Sequence, residues 1–458
     1  MWLLLALVPL LALVLGVAFF SVNVPVWDDW SMVPLLQKAY AGTLSFTDLW
    51  EPYTQHRMVL PRLLAVANAH LTGWNLRWQM ALSLGLAVGL WLVLIRMASR
   101  SAAATGRASP PWLPVLLSLL VFSLSAHEDW FGAFWFYNPL LALCAGALAL
   151  LLTQAPWRWG RLAGAAALAL VATYSYSLGL ILWPLGLLAL WWQRSADRRC
   201  LTQALPVWLA LGVGNLVAYF AHYRAMTGAP PPAEALAHPG EYLHFVLDYL
   251  GAPLGIVNPR LAFCLGLLGS VLVVAMAILL VRLRREAWPA VQPYLLLALF
   301  ALGTALVTGL GRAQGGWDLA MAPRYVPLSG LLWIAVVSLG ALAWSGRPAG
   351  GRSARRLLRS SGLVLLMASV AFFSIRSSGY ALSLVLRRYH DLAPMAEAIR
   401  RGDEARLFVL GNYTAEELRP WREFLREHRL SVFREGPDRA AVGSAPPLPP
   451  GERAGGAQ

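Results

Sequence analysis

The chain has 458 residues, 58% of them hydrophobic and 13% charged, with a formal net charge of +14 and a mean hydropathy of +0.57. Soluble domains carry about a quarter of their residues as Asp, Glu, Lys and Arg, so this charge density cannot clothe a globular surface of such size. The composition excludes a soluble enzyme, a disordered chain and a nucleic-acid-binding domain, and predicts an all-α integral membrane protein. The excess of base is no nucleic-acid footprint. All but Lys38 of the 37 basic residues are Arg, clustered between apolar runs rather than interleaved with aromatics. Cys144, Cys200 and Cys264 show neither metal-ligand nor disulfide spacing.

A membrane helix needs about 20 mostly apolar residues. Such runs predict about eleven spans, at 2–22, 77–97, 112–126, 135–153, 162–177, 178–192, 204–221, 260–282, 291–310, 326–345 and 361–379. Those at 112–126, 162–177 and 178–192 are short. The first lacks a basic leader and an Ala-x-Ala cleavage site, and reads as a retained anchor.

Arginine sets the orientation. Arg96, Arg100 and Arg107 follow the second run, Arg158 and Arg161 the fourth, and Arg194, Arg198 and Arg199 the sixth. Arg282, Arg284 and Arg285 follow the eighth, and Arg347, Arg352, Arg355, Arg356 and Arg359 the tenth. All share one side if the N-terminus is cytoplasmic, which sends the C-terminal tail outward, to the periplasmic or extracellular face. The Arg- and Ala-rich composition suggests a bacterial inner (plasma) membrane. Asp28, Asp29, Asp48, Glu51, Glu128, Asp129, Glu234, Glu241, Asp248 and Asp318 fall on the outward side.

Within a transmembrane domain of 1–379, the first outward loop, 23–76, has amphipathic stretches at 33–41 and 56–71 suited to interfacial helices. A later outward loop, 222–259, holds Pro230, Pro231 and Pro232 and a short helix near 240–250. Residues 380–435 read as a small α/β outward tail. It comprises a strand at Leu407–Leu410, a helix opened by the capping box Thr414/Glu417, and a strand at Leu430–Phe433. The Gly/Pro/Ala-rich 436–458 reads as disordered.

The outward loops hold the candidate chemistry. Val26-Trp27-Asp28-Asp29-Trp30 sets two carboxylates between indoles at a membrane surface. They suit a general base that takes a proton from a hydroxyl, and equally an aromatic belt with a helix N-cap at Asp29. His56 and Arg57, with Arg62 beyond, offer fixed cations for a phosphate, or interfacial anchors. His127, Glu128 and Asp129 precede the aromatic run Phe131, Phe134, Trp135, Phe136 and Tyr137. They position an acceptor, or hold a divalent cation together with Asp28 or Asp29, or form a solvated hairpin tip. Gly-rich 311–316 with Arg312, followed by Arg324-Tyr325, suits a phosphate cradle or an anchored hairpin. No predicted strand precedes it, which excludes a nucleotide P-loop. His222, Tyr223 and Arg224 are a weaker candidate, and the tail arginines read as a solvated face.

An acidic pair after the first span, a long loop with interfacial helices and a second acidic site between spans three and four resemble the GT-C superfamily. These polytopic glycosyltransferases include the polyprenyl-phosphate-sugar-dependent protein O-mannosyltransferases and the aminoarabinose transferases of lipid A. The resemblance rests on Asp28-Asp29, His56-Arg57, Glu128-Asp129 and Arg324-Tyr325 and covers about 1–345. Family members often carry Asp-Glu or Asp-x-Asp in the first loop, so Asp-Asp leaves the catalytic carboxylate open. The resemblance implies inverting sugar transfer from a polyprenyl-phosphate donor to a hydroxyl or amine on a glycan, lipid or protein at the outer membrane face. Asp28 or Asp29 would be the base. Glu128, Asp129 and His127 would position acceptor or metal, and His56, Arg57, Arg312, Arg324 and Tyr325 would bind the donor phosphate. Three rivals share the topology: a polysaccharide polymerase or ligase relying on Arg and His, a lipid or sugar transporter, and a non-catalytic assembly subunit. A transporter usually places ionisable groups near the bilayer midplane, whereas here they gather in loops.

Overall fold

The structure, a computed structural model, describes residues 1–154, 156, 158–194, 196–223, 231–283, 285–345, 354–403 and 413–434. Among them, eight helices are long and apolar enough to cross a membrane: Trp2–Phe20, Arg77–Ala104, Phe134–Leu152, Cys200–Phe220, Pro259–Arg282, Trp288–Ala320, Pro323–Trp344 and Ser361–Arg401. The protein is a helical, multi-pass membrane protein. In hydrocarbon a segment must satisfy its own backbone N–H and C=O groups, which uninterrupted helices of this length do. The three short runs form shorter helices, Leu113–Val121, Trp159–Thr173 and Leu182–Gln193. The nine residues of Leu113–Val121 rise only about 14 Å. Ser123 then turns the chain, its hydroxyl accepting from the Ser125 N–H at 3.2 Å, into the short helix His127–Phe131.

The first long loop contains the helices Val33–Tyr40, Phe46–Trp50 and Val59–Thr72, the first and last close to the amphipathic ranges read from sequence. The helix expected near 240–250 extends over Pro239–Gly255 and packs backbone to backbone on Pro259–Leu283. A Cβ added at Gly251 would meet the Ala262 carbonyl oxygen at 1.8 Å, and one at Gly266 the Leu247 oxygen at 1.9 Å. Small residues permit that approach. Asp248, read as an outward-loop acid, is buried there and paired with His244 at 2.8 Å.

The C-terminal region departs from expectation. The helix of the last predicted span does not stop near 379 but runs unbroken over Ala354–Arg401. The capping box is present: Thr414 Oγ1 accepts from the Glu417 N–H at 3.3 Å, opening the helix Ala415–Glu427. The strand expected at Leu430–Phe433 is instead a tight 3-10 turn, Ser431–Phe433. Ser431 sits at φ 49°, which extended backbone cannot adopt, and its N–H donates to Gly73 O at 2.8 Å. Leu430 and Val432 are buried where this turn packs on the helices Ala354–Arg401 and Ala415–Glu427, rather than paired in a sheet. The other expected strand, Leu407–Leu410, and the segment 436–458 lie outside the described residues, as do Pro230 and Arg224.

Candidate functional site

The chain leaves the helix Trp2–Phe20 in extended conformation and enters a 3-10 turn, Trp27–Met32. Trp27 adopts φ 47°, a left-handed conformation costly for a bulky residue and typical of functional sites. Successive side chains of a 3-10 turn diverge by about 120°, and the two aspartates separate accordingly. Asp29 turns inward, almost fully buried, its Oδ2 accepting the Val26 N–H at 3.0 Å. Asp28 faces a cavity, and its Oδ1 accepts from the Tyr53 hydroxyl at 2.8 Å.

Burial pushes the Asp29 carboxyl up to about 7, against the opposing pull of the Val26 N–H and of Arg388 and with a further push from Asp28. A carboxyl raised in the fold stabilises it fully below the unfolded value near 4, and that contribution is lost as pH rises through about 7. The unfolding midpoint of the wild type, measured relative to Asp29→Asn, should therefore fall between about pH 4 and pH 7. The asparagine keeps an acceptor for Val26, so the variant should melt higher at alkaline pH. A difference that does not vary with pH would contradict the placement of Asp29.

The next loop delivers two more groups. Tyr53 and His56 exchange main-chain hydrogen bonds at 2.8 and 2.9 Å around Thr54, whose φ of 53° closes the turn. Both side chains reach the cavity. His56 Nδ1 lies 2.7 Å from Ser177 Oγ, and its ring packs on Tyr176 with centroids 4.1 Å apart. Burial, reinforced by Arg312, pushes the imidazole down to about 3. His56 is thus a neutral hydrogen-bonding group at physiological pH, not a cation.

Arg57 turns the other way, which corrects its reading as a phosphate ligand. It is fully buried, and its guanidinium donates to the carbonyl oxygens of Tyr219 at 2.6 Å, Ala221 at 2.6 Å and Trp50 at 2.5 Å. Arg62 is buried similarly, donating to the carbonyls of Asp48, Leu49 and Glu51. Both arginines clamp the loop and serve neither as headgroup anchors nor as cavity walls.

The second acidic pair also divides. Glu128 forms an ion pair with Arg324 Nη1 at 3.0 Å. Asp129 is fully buried, held by Asn138 Nδ2 at 3.0 Å, and burial raises its carboxyl well above the usual range. His127 is buried too, its imidazole pushed down to about 4 by burial and by Arg388. Among the described residues no three His, Cys, Asp or Glu side chains converge as metal ligands. The expected set of His127, Glu128 and Asp129 with Asp28 or Asp29 is therefore not assembled.

Arg312, ending the helix Trp288–Arg312, and Arg324, in the turn Pro323–Tyr325, both line the cavity. Tyr325 stays behind the wall, fully buried against Tyr249 with ring centroids 5.2 Å apart, while Arg324 lies over its ring at 5.3 Å. The closely packed helix pair 239–255 and 259–283 thus braces Arg324 through Tyr249. The cavity measures about 520 Å³ and is walled by Trp27, Asp28, Tyr53, Thr54, His56, Met58, Phe134, Trp135, Tyr137, Tyr176, Arg312 and Arg324. Asp28, His56, Arg312 and Arg324 come together from among the residues singled out by sequence. Asp29, Arg57, His127, Glu128, Asp129 and Tyr325 do not line it.

Tyr53, Tyr176, Ser177 and Arg388 were not singled out. The polar interruption Tyr174-Ser175-Tyr176-Ser177 between two apolar runs was the available signal for two of them. Tyr53 and Arg388 carry no local mark. Chemically, the site places one accessible carboxylate in an aromatic-walled cavity with two guanidinium groups, one of them ion-paired with Glu128, which suits proton abstraction beside a bound anion. No protein-family model matches the chain, and no curated protein or solved structure matches it significantly.

Proposed function

We propose that this protein is a GT-C-type membrane glycosyltransferase that moves a sugar from a polyprenyl-phosphate donor to a hydroxyl or amine acceptor, with inversion. The observation that carries the reading is the shared cavity of Asp28, Arg312 and Arg324. Asp28 takes the proton of the acceptor as its oxygen or nitrogen bonds to the anomeric carbon. The bond from that carbon to the phosphate oxygen breaks on the opposite face, and polyprenyl phosphate departs with the electron pair. Arg312 and Arg324 receive the negative charge that develops there. Phosphate needs no protonation to leave, so a second carboxylic acid of the glycosidase kind is unnecessary. Tyr53 donates to Asp28 Oδ1, which leaves Oδ2 to take the proton. Indole and phenol faces supply contact surface for sugar and prenyl chain.

The arginine distribution supports a cytoplasmic N-terminus, about eleven crossings and an outward site in the inner membrane. All cavity residues come from the loops, or the span ends beside them, that this orientation puts outside.

The test is purified protein with a radiolabelled polyprenyl-phosphate sugar pool and a membrane glycan or lipid extract. Acceptor-dependent release of polyprenyl phosphate supports the reading, and donor binding without any turnover across protein, lipid and glycan acceptors would overturn it. The polymerase or ligase alternative is favoured by one observation, the presence of neutral His56 in the same cavity as both arginines. It predicts that His56→Ala is inactive while Asp28→Asn retains activity, the reverse of the ranking expected here. Tyr53→Phe, which only frees Asp28 to rotate, should cost about tenfold in turnover with little change in KM. Steady-state kinetics would show this.

A further inference from the structure

A third guanidinium stands directly behind the cavity wall. Arg388 lies on the helix Ala354–Arg401, beyond the stretch that sequence marks as the last span. Its guanidinium carbon sits 5.6 Å from the ring centre of Trp27 and 5.9 Å from that of Trp135, both cavity residues. Nε and Nη2 are buried with no hydrogen-bond partner. Unsatisfied donors on a buried cation are expensive, and in a native protein they call for an explanation. Its helix packs against the short helix His127–Phe131, which carries Glu128, and the charges of Glu128 and Asp29 both reach Arg388. Asp29 is already committed to the Val26 N–H. Glu128 is therefore flanked by two cations: Arg324, which it holds at 3.0 Å, and Arg388, whose Nε and Nη2 have no hydrogen-bond partner.

An anion entering the cavity meets Arg324 already neutralised, with the Glu128 charge close by. Binding must either break that ion pair or leave two like charges adjacent, and both weaken it. We propose that Arg388 is the alternate partner of Glu128: when an anionic ligand group draws Arg324 into the cavity, the Glu128 carboxylate passes to the Nε/Nη2 edge of Arg388. Arg388 is then a positioning residue that sets anion affinity without touching the anion, and it links the C-terminal helix to the site. The inference rests on the reading that Arg324 receives the donor phosphate.

The test is equilibrium binding of radiolabelled farnesyl phosphate to the full-length protein in nanodiscs, with unfolding midpoints recorded for each variant. Arg388→Met should weaken binding about tenfold, because Glu128 stays on Arg324. Glu128→Gln should bind at least as tightly as wild type, and in that background Arg388→Met should change affinity by less than about twofold. Arg388→Lys, which keeps the charge, should stay near wild type. An equal loss in both backgrounds would mark Arg388 as merely structural and overturn the proposal, as would no loss in either. If wild type binds but Arg324→Met binds equally well, the phosphate role of Arg324 fails, and the exchange falls with it. If wild type does not bind, the donor reading itself fails. Should Arg388→Met not fold, Arg388→Gln in both backgrounds carries the same comparison.

Discussion

Asp28→Asn should reduce turnover by about 10²- to 10⁴-fold, the range of a lost general base, while donor binding changes little. Asparagine is close in shape to aspartate and can still accept from Tyr53, so the cavity keeps its form and Arg312 and Arg324 their charge. What disappears is the capacity to hold the acceptor's proton. Asp29→Asn should stay within about threefold of wild type at neutral pH, since its effect falls on turn stability rather than on a reacting atom. The two variants differ by one position and by the direction a 3-10 turn gives each side chain. The measurement is initial rate of polyprenyl phosphate release at saturating donor, with donor affinity determined separately. Equal activity of both variants would remove Asp28 from the mechanism, and loss in Asp29→Asn alone would reverse the assignment.

This difference marks where the sequence ceases to be legible. The apolar runs predict their helices because length and hydropathy suffice for that inference in a lipid environment. Asp28, His56, Arg312 and Arg324 stand out in the sequence as ionisable groups among aromatics in the outward loops, but so do Asp29, Arg57, His127, Glu128 and Asp129, which do not line the cavity. Nothing local reveals that Asp28 and Asp29 point apart. That depends on Trp27 accepting a positive φ, a conformation paid for by tertiary packing and not by propensity. Glu128 and Asp129 diverge for a comparable reason, one reaching Arg324 and the other Asn138. Leu430–Phe433 has the alternating bulky residues of a strand, yet Ser431 at its centre donates to Gly73 and Asn23, far away in the chain. A short segment of that kind takes its conformation from the surface that receives it.

Arg57→Ala should produce the largest loss of stability, about 2–4 kcal/mol, with no specific loss of donor affinity in the protein that remains folded. Arg57 performs a capping task from a distant part of the chain. The helix Leu205–Phe220 ends with carbonyl groups that have no intrahelical partner, and Arg57 donates to two oxygens at that end, Tyr219 and Ala221. A cation there also meets the negative end of the helix dipole. The third donation, to Trp50, ties the same helix end to the loop that presents Tyr53 and His56. Truncation removes three donations at once and leaves the buried Tyr219 carbonyl without that partner. Arg57→Lys should recover less than half of the loss, because an ammonium cannot reproduce the planar fork that reaches three separate carbonyls. Thermal unfolding in detergent, together with farnesyl phosphate binding to the folded fraction, separates this role from the phosphate-binding one that sequence suggested. A variant that kept its unfolding midpoint and lost affinity more than about tenfold would place Arg57 in the cavity after all. A sequence shows that an arginine stands beside a membrane span, but not whether its charge meets a ligand, a headgroup or the bare end of a helix. That is decided by which carbonyls lack hydrogen bonds once the bundle has closed.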